Sequence, residues 1–163
     1  MSDWSPYRLG VVPKPRSLST PEGLGDRLRF VAFAERQAYR AFSEAAERFT
    51  DAPHELREAW RWIAQEEHKH ETWLLKRLAE LGQTVEAVPV ALDLYLSFER
   101  CQSAEEFSRY MSNAEERGRV AGERFGEVLA KTDPETAQLF QRIALEEREH
   151  VALTERFFPT ALT

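Results

Sequence analysis

The chain has 163 residues, enough for one domain with its own core, and Cys101 is its only cysteine, which excludes an internal disulfide framework, a CxxC redox pair and any cysteine-based zinc or iron site. A formal charge of -6 argues against broad contact with nucleic acid or an anionic membrane, because phosphate binding needs clustered Lys and Arg. The N-terminus lacks the apolar core of a secretory signal and no run of about 18 apolar residues follows, so a cytoplasmic protein is expected.

Residues 1–19 carry Pro6, Pro13 and Pro15 with little periodicity and read as an extended arm of the kind that wraps a neighbouring subunit. Residues 20–163 read as a single helical domain. Thr20, Pro21 and Glu22 supply an N-cap, a proline at the first helical position and an acidic first turn. Apolar residues then recur at Leu28, Val31, Ala38, Phe42, Ala45 and Phe49, giving helix one over roughly 21–50. Asp51 and Pro53 break the chain and reopen it as helix two, with Leu56, Trp60, Ile63, Leu74, Leu78 and Leu81 inward and Gly82 closing it. Residues 83–102 read as a connection that includes Pro89 and a mostly apolar stretch, Val90 to Phe98, long enough to cross a bundle. Ser103 and Glu106 form a capping box that opens helix three, roughly 104–131, and Asp133 with Pro134 caps helix four, which stops before Pro159 with no room for a fifth helix beyond it. The fold class expected is all-α: two helical hairpins joined by a crossover.

The hairpins repeat. Ile63, Ala64, Glu66, Glu67 and His70 recur as Ile143, Ala144, Glu146, Glu147 and His150, a constant offset of 80 that also carries Glu35 onto Glu115. Each half is a Glu followed 32 residues later by Glu-x-x-His. The i, i+3 spacing puts Glu67 with His70, and Glu147 with His150, on one helix face where each pair can share a metal. Heptad stripes turn all of them inward: Leu28, Glu35, Phe42 and Phe49 share one position, as do Trp60, Glu67, Leu74 and Leu81. Burying four carboxylates costs several kcal/mol each unless they are paired, and two divalent cations supply the pairing. Glu66 and Glu146 sit at the stripe edge, where they are either exposed or paired with arginines, or else support the ligands from behind. Core packing is the default reading for Trp60 and Trp73. The offset also places Gly118 and Gly122 where helix one has Ala38 and Phe42, either for close helix approach or to leave a void beside the site.

This pattern resembles the ferritin-like di-iron carboxylate superfamily of rubrerythrins, bacterioferritins and di-iron hydroxylases, over about residues 21–158. The resemblance implies a ferritin-like four-helix bundle with Glu35 and Glu115 as terminal metal ligands, Glu67 and Glu147 as bridging ligands, and His70 and His150 as one imidazole per metal. It implies two iron ions as cofactor, manganese or a mixed pair being compatible with the donor set. Gly118 stands where rubrerythrins add a glutamate, and His68 where bacterioferritins carry a haem-ligating methionine. The function expected is a di-iron oxidoreductase reacting with O₂ or hydrogen peroxide, of oxidase, peroxidase or ferroxidase type, fed by an electron donor the sequence does not identify. The alternatives are a di-iron hydroxylase of a small organic substrate and a non-enzymatic metal-binding protein. A homodimer is compatible with the arm; nucleic acid and membrane are not expected partners.

Overall fold

The computed structural model describes residues 3–160; positions 1–2 and 161–163, the extremities of the expected arm and domain, lie outside the described residues. Four long helices form where capping and periodicity place them: α1 (Pro21–Arg48), α2 (His54–Glu80), α4 (Ala104–Leu129) and α5 (Pro134–Phe157). The Thr20 side chain accepts from the Gly23 amide, Ser103 from Glu106 and Asp133 from Thr136, each satisfying an orphan first-turn donor. Gly82, at φ 71°, ends α2 in a left-handed turn, with the Gly82 amide donating to the Ala79 carbonyl and Gln83 to Leu78. Asp51 does not cap α2; its carboxylate accepts from the amide of Ala104 and fixes the start of α4 instead.

The crossover is partly helical. It contains the short helix α3 (Asp93–Arg100), preceded by a 3-10 turn at Val85–Ala87. Eight residues are too few to be helical alone, so α3 depends on packing. Phe98 and Tyr95 are buried, and the Tyr95 amide donates to the Gln37 side chain on α1. The fifth helix therefore sits inside the connection.

The arm lies on its own chain. Trp4 and Tyr7 are buried, packing edge-on and tilted against Phe33, and the Tyr7 hydroxyl donates to Glu71 at 2.8 Å. Leu9 forms an isolated bridge with Val90 of the crossover, and no β-strand occurs among the described residues. Burial of two aromatic rings is enough to hold such a segment, at about 1.5–3 kcal/mol for a phenylalanine-sized side chain.

α1 pairs along its length with α2, and α4 with α5; between hairpins, α2 meets α5 and α1 meets α4 more sparsely. The result is a helical bundle. One end is closed by an aromatic cluster in which Phe49, Trp60 and Phe98 surround Phe107 at 5.1–5.6 Å between centroids. The polar residues described next occupy the middle.

Candidate metal centre

All six residues singled out by the repeat are buried: Glu35 from α1, Glu67 and His70 from α2, Glu115 from α4, and Glu147 and His150 from α5. The i, i+3 pairs face inward together. Ligand-type atoms of Glu35, Glu67, His70 and Glu147 lie within 4.8 Å of one another, and so do those of Glu67, Glu115, Glu147 and His150. Glu67 and Glu147 belong to both groups.

The contacts are close without being hydrogen bonds. His150 Nδ1 is 2.9 Å from Glu67 Oε1 and 3.7 Å from both Glu115 Oε2 and Glu147 Oε2; His70 Nδ1 is 3.4 Å from Glu147 Oε1 and 3.8 Å from Glu35 Oε2. Yet Glu67 Oε1, Glu115 Oε1, His70 Nδ1 and His150 Nδ1 are buried without a hydrogen-bond partner. Buried polar atoms are almost always satisfied, so four orphans converging on one space fit a cation held between them.

On its far side, His70 Nε2 lies 2.8 Å from Glu146 Oε2, an arrangement in which Nε2–H donates and the Nδ1 lone pair turns toward Glu35 and Glu147. Glu146 also stands 3.6 Å from Arg142, so it has both the arginine neighbour and the contact behind His70 that were open for it. Glu66 differs: it pairs with Lys69 at 2.5 Å, and Lys69 also reaches Glu146 at 2.8 Å. His150 Nε2 has no partner, and the edge of Trp62 packs against its ring at 5.6 Å, so the repeat is not carried into this outer layer. Trp60 is core, whereas Trp73 is half-buried beneath the Arg142 guanidinium at 4.2 Å.

The electrostatics are those of too many carboxylates in one dry space. Burial, then the charges of Glu147 and Glu35, pushes the carboxyls of Glu67 and Glu115 well above the usual range. For Glu147 burial acts upward too, but the imidazoles of His150 and His70 outweigh it and hold the group low. His70 is drawn down by burial and driven up more strongly by Glu147 and Glu35, to about 10. Burial likewise raises Glu146, and Lys69 and His70 overcome it, leaving the group at about 2.

Beside the carboxylates, an apolar cavity of about 290 Å³ opens between α1 and α4, reaching Glu35, Glu67, Glu115 and Glu147 at its inner end. Gly118 lines it, and a side chain added there would meet nothing within 4 Å. Gly122 lines it too, and a Cβ there would stand 3.4 Å from the Phe140 carbonyl oxygen and 3.6 Å from the Ala144 Cβ, ordinary contact with α5 that does not itself require a glycine.

Sequence reasoning missed two buried acids, Asp26, which Arg16 and Arg29 hold, and Glu71. Glu71 accepts from Tyr7 and from Arg36, at 2.8 and 2.9 Å. Its counterpart by the offset is Val151, so the repeat carried no signal for it.

A family model described as a protein of unknown function, DUF455, matches residues 5–162. No curated protein and no solved structure matches the chain.

Proposed function

For a chain that belongs to the DUF455 family, we propose on the donor geometry a ferritin-like di-metal oxidoreductase, with iron as the metal and O₂ or hydrogen peroxide as the oxidant. One observation carries this reading: two four-residue donor groups overlap in Glu67 and Glu147, and the atoms facing the shared space lack hydrogen-bond partners. In it Glu35, Glu67, His70, Glu115, Glu147 and His150 would hold the two ions, Glu67 and Glu147 being common to both donor groups. Four ionised glutamates are neutralised by two divalent cations, and oxygen-rich sites with two imidazoles suit iron or manganese. A pair of redox-active ions, when bound, supplies electrons to a small oxidant.

The chain's own residues do the rest. The aromatic cluster closes one end of the site to water, and Glu146 fixes the His70 ring and its tautomer. Within this reading, the apolar cavity touching all four glutamates favours oxidation of an organic molecule over storage of iron.

Anaerobic loading with Fe²⁺ followed by O₂ or H₂O₂, watched by absorbance and oxygen uptake, tests the proposal. Two irons per chain and repeated oxidation in the presence of a reductant are expected. One iron or none at saturation would overturn it, and a single stoichiometric oxidation would reduce it to metal handling.

A further inference from the structure

The cavity has a second chamber. Arg27 of α1, with Ala121 and Phe125 of α4, lines both the inner apolar space and an outer basin that adds Arg117, Arg124 and Glu116. The inner walls are Phe30, Val31, Met111, Phe125, Phe140 and Ile143, with no cation deeper than Arg27. At the outer end, in a chain of net charge -6, three arginines meet.

Those arginines are uncommitted. The one acid in the basin, Glu116, is held by Arg119 through two hydrogen bonds of 2.7 and 2.8 Å. Arg27, Arg117 and Arg124 form no ion pair or side-chain hydrogen bond among the described residues, although most arginines of the chain do, as Arg16, Arg36, Arg48 and Arg77 illustrate. Arg27 Nη1 is buried without a partner, while the guanidinium carbon stands 6.0 Å from the centre of the Phe125 ring. Withholding a hydrogen bond from a buried charged donor is costly, and a ligand that accepts from it removes the cost.

We propose that this two-chambered space binds a single-chain amphipathic carboxylic acid, its carboxylate on Arg27 with Arg117 and Arg124 and its hydrocarbon chain in the inner cavity. The planar guanidinium fork matches a two-oxygen acceptor, and the inner walls offer an alkyl chain nothing but carbon until the glutamates are reached. Gly118 lines the inner cavity, where a side chain would meet nothing within 4 Å of its Cβ. Binding itself rests on the cavity and the arginines; only the consequence that the far end of the chain lies where the metals would act rests on the function proposed above.

The test titrates the full chain with decanoate and with decanol by calorimetry, both metal-free and after anaerobic Fe²⁺ loading. One decanoate per chain is expected. The double change Arg27→Gln with Arg124→Gln should weaken decanoate about tenfold or more while leaving decanol within roughly threefold, since it removes the charged partners and not the apolar chamber. Gly118→Leu, which has room to fold, should abolish both. Equal decanoate affinity in the arginine variant, or no decanoate binding to the unmodified chain, overturns the proposal. So does a dimer that Gly118→Leu converts to monomer without any ligand uptake, which would make this face a contact between copies. Decanoate bound by protein that retains no iron would sink the di-metal reading and leave this one standing.

Discussion

His70, Glu67 and Glu115 are held in protonation states that a metal would reverse, and this makes pH a direct probe of the site. His70 is raised to about 10 in the metal-free protein, so the stability it contributes is complete below its ordinary value of 6.5 and is lost as pH rises through about 10. Glu67 and Glu115 act in the same direction: raised, they contribute below their ordinary 4.5 and lose that contribution as pH climbs through their folded values. Glu147 is held low and opposes them, its contribution present above 4.5 and lost in acid. Burial and repulsion alone would raise Glu147 as well; the imidazoles of His150 and His70 reverse the sign. The melting temperature of metal-free protein should therefore fall between pH 7 and about 10, whereas metal-loaded protein, whose imidazoles are already neutral, should stay nearly flat. Coincident pH profiles would contradict the assignment. Substitution offers a second check by elemental analysis of iron retained. Glu67→Gln or Glu147→Gln should cost one or both ions. Glu146→Gln, which frees the His70 ring, should weaken retention by about 10–100-fold, and Glu66→Gln by much less.

The helices differ in how much of them is written locally. Gly118 and Gly122 sit one turn apart on α4; a methyl group on the first would meet nothing within 4 Å, and one on the second would make ordinary contact with Phe140 and Ala144, leaving no space for anything larger. Gly118→Ala should stabilise the fold by up to about 1 kcal/mol, because helix propensity is gained and no neighbour is touched. Gly122→Phe should cost about 1–3 kcal/mol or more through overpacking against Phe140 and Ala144. Chemical denaturation measures both, and a destabilising Gly118→Ala would mean that α4 lies closer to α1 than described. Capping residues and a 3.6-residue stripe placed the four long helices within two residues of their ends, since those signals act within a turn. The 80-residue offset brought out the six inward residues because both halves carry them. Neither signal reaches α3, whose eight residues are helical only through Tyr95 and Phe98 against α1. The same holds for Tyr7 and Glu71, which meet across 64 residues of chain without a motif, and for Trp4 against Phe33 and Tyr95. Nor does periodicity show that Arg27 is left without an acid; that depends on where every other side chain goes.

At the scale of the molecule, the site joins halves that otherwise touch lightly. The α1–α2 hairpin supplies Glu35, Glu67 and His70, and α4–α5 supplies Glu115, Glu147 and His150, but each donor group borrows one glutamate from the opposite hairpin: Glu147 in the first, Glu67 in the second. A metal in either group therefore ties both hairpins together. Without it the same middle layer is a cluster of buried, mutually repelling carboxylates at the hairpin interface, with orphaned atoms on both sides. Packing within each hairpin is extensive and independent of that layer, so metal-free protein should keep its helices while loosening the docking of one hairpin on the other. Metal binds the docked state, and a free concentration of 100 times the dissociation constant adds about 2.7 kcal/mol to its stability. Hydrogen exchange should show this regionally. Loading with Fe²⁺ under anaerobic conditions should slow exchange most in the turns around Glu35, Glu67, Glu115 and Glu147, in all four long helices at once, while far-ultraviolet circular dichroism changes little. Protection confined to one hairpin would mean that the shared glutamates do not bridge, and unchanged exchange would mean that the middle layer is stable as a network of protonated acids without any ion.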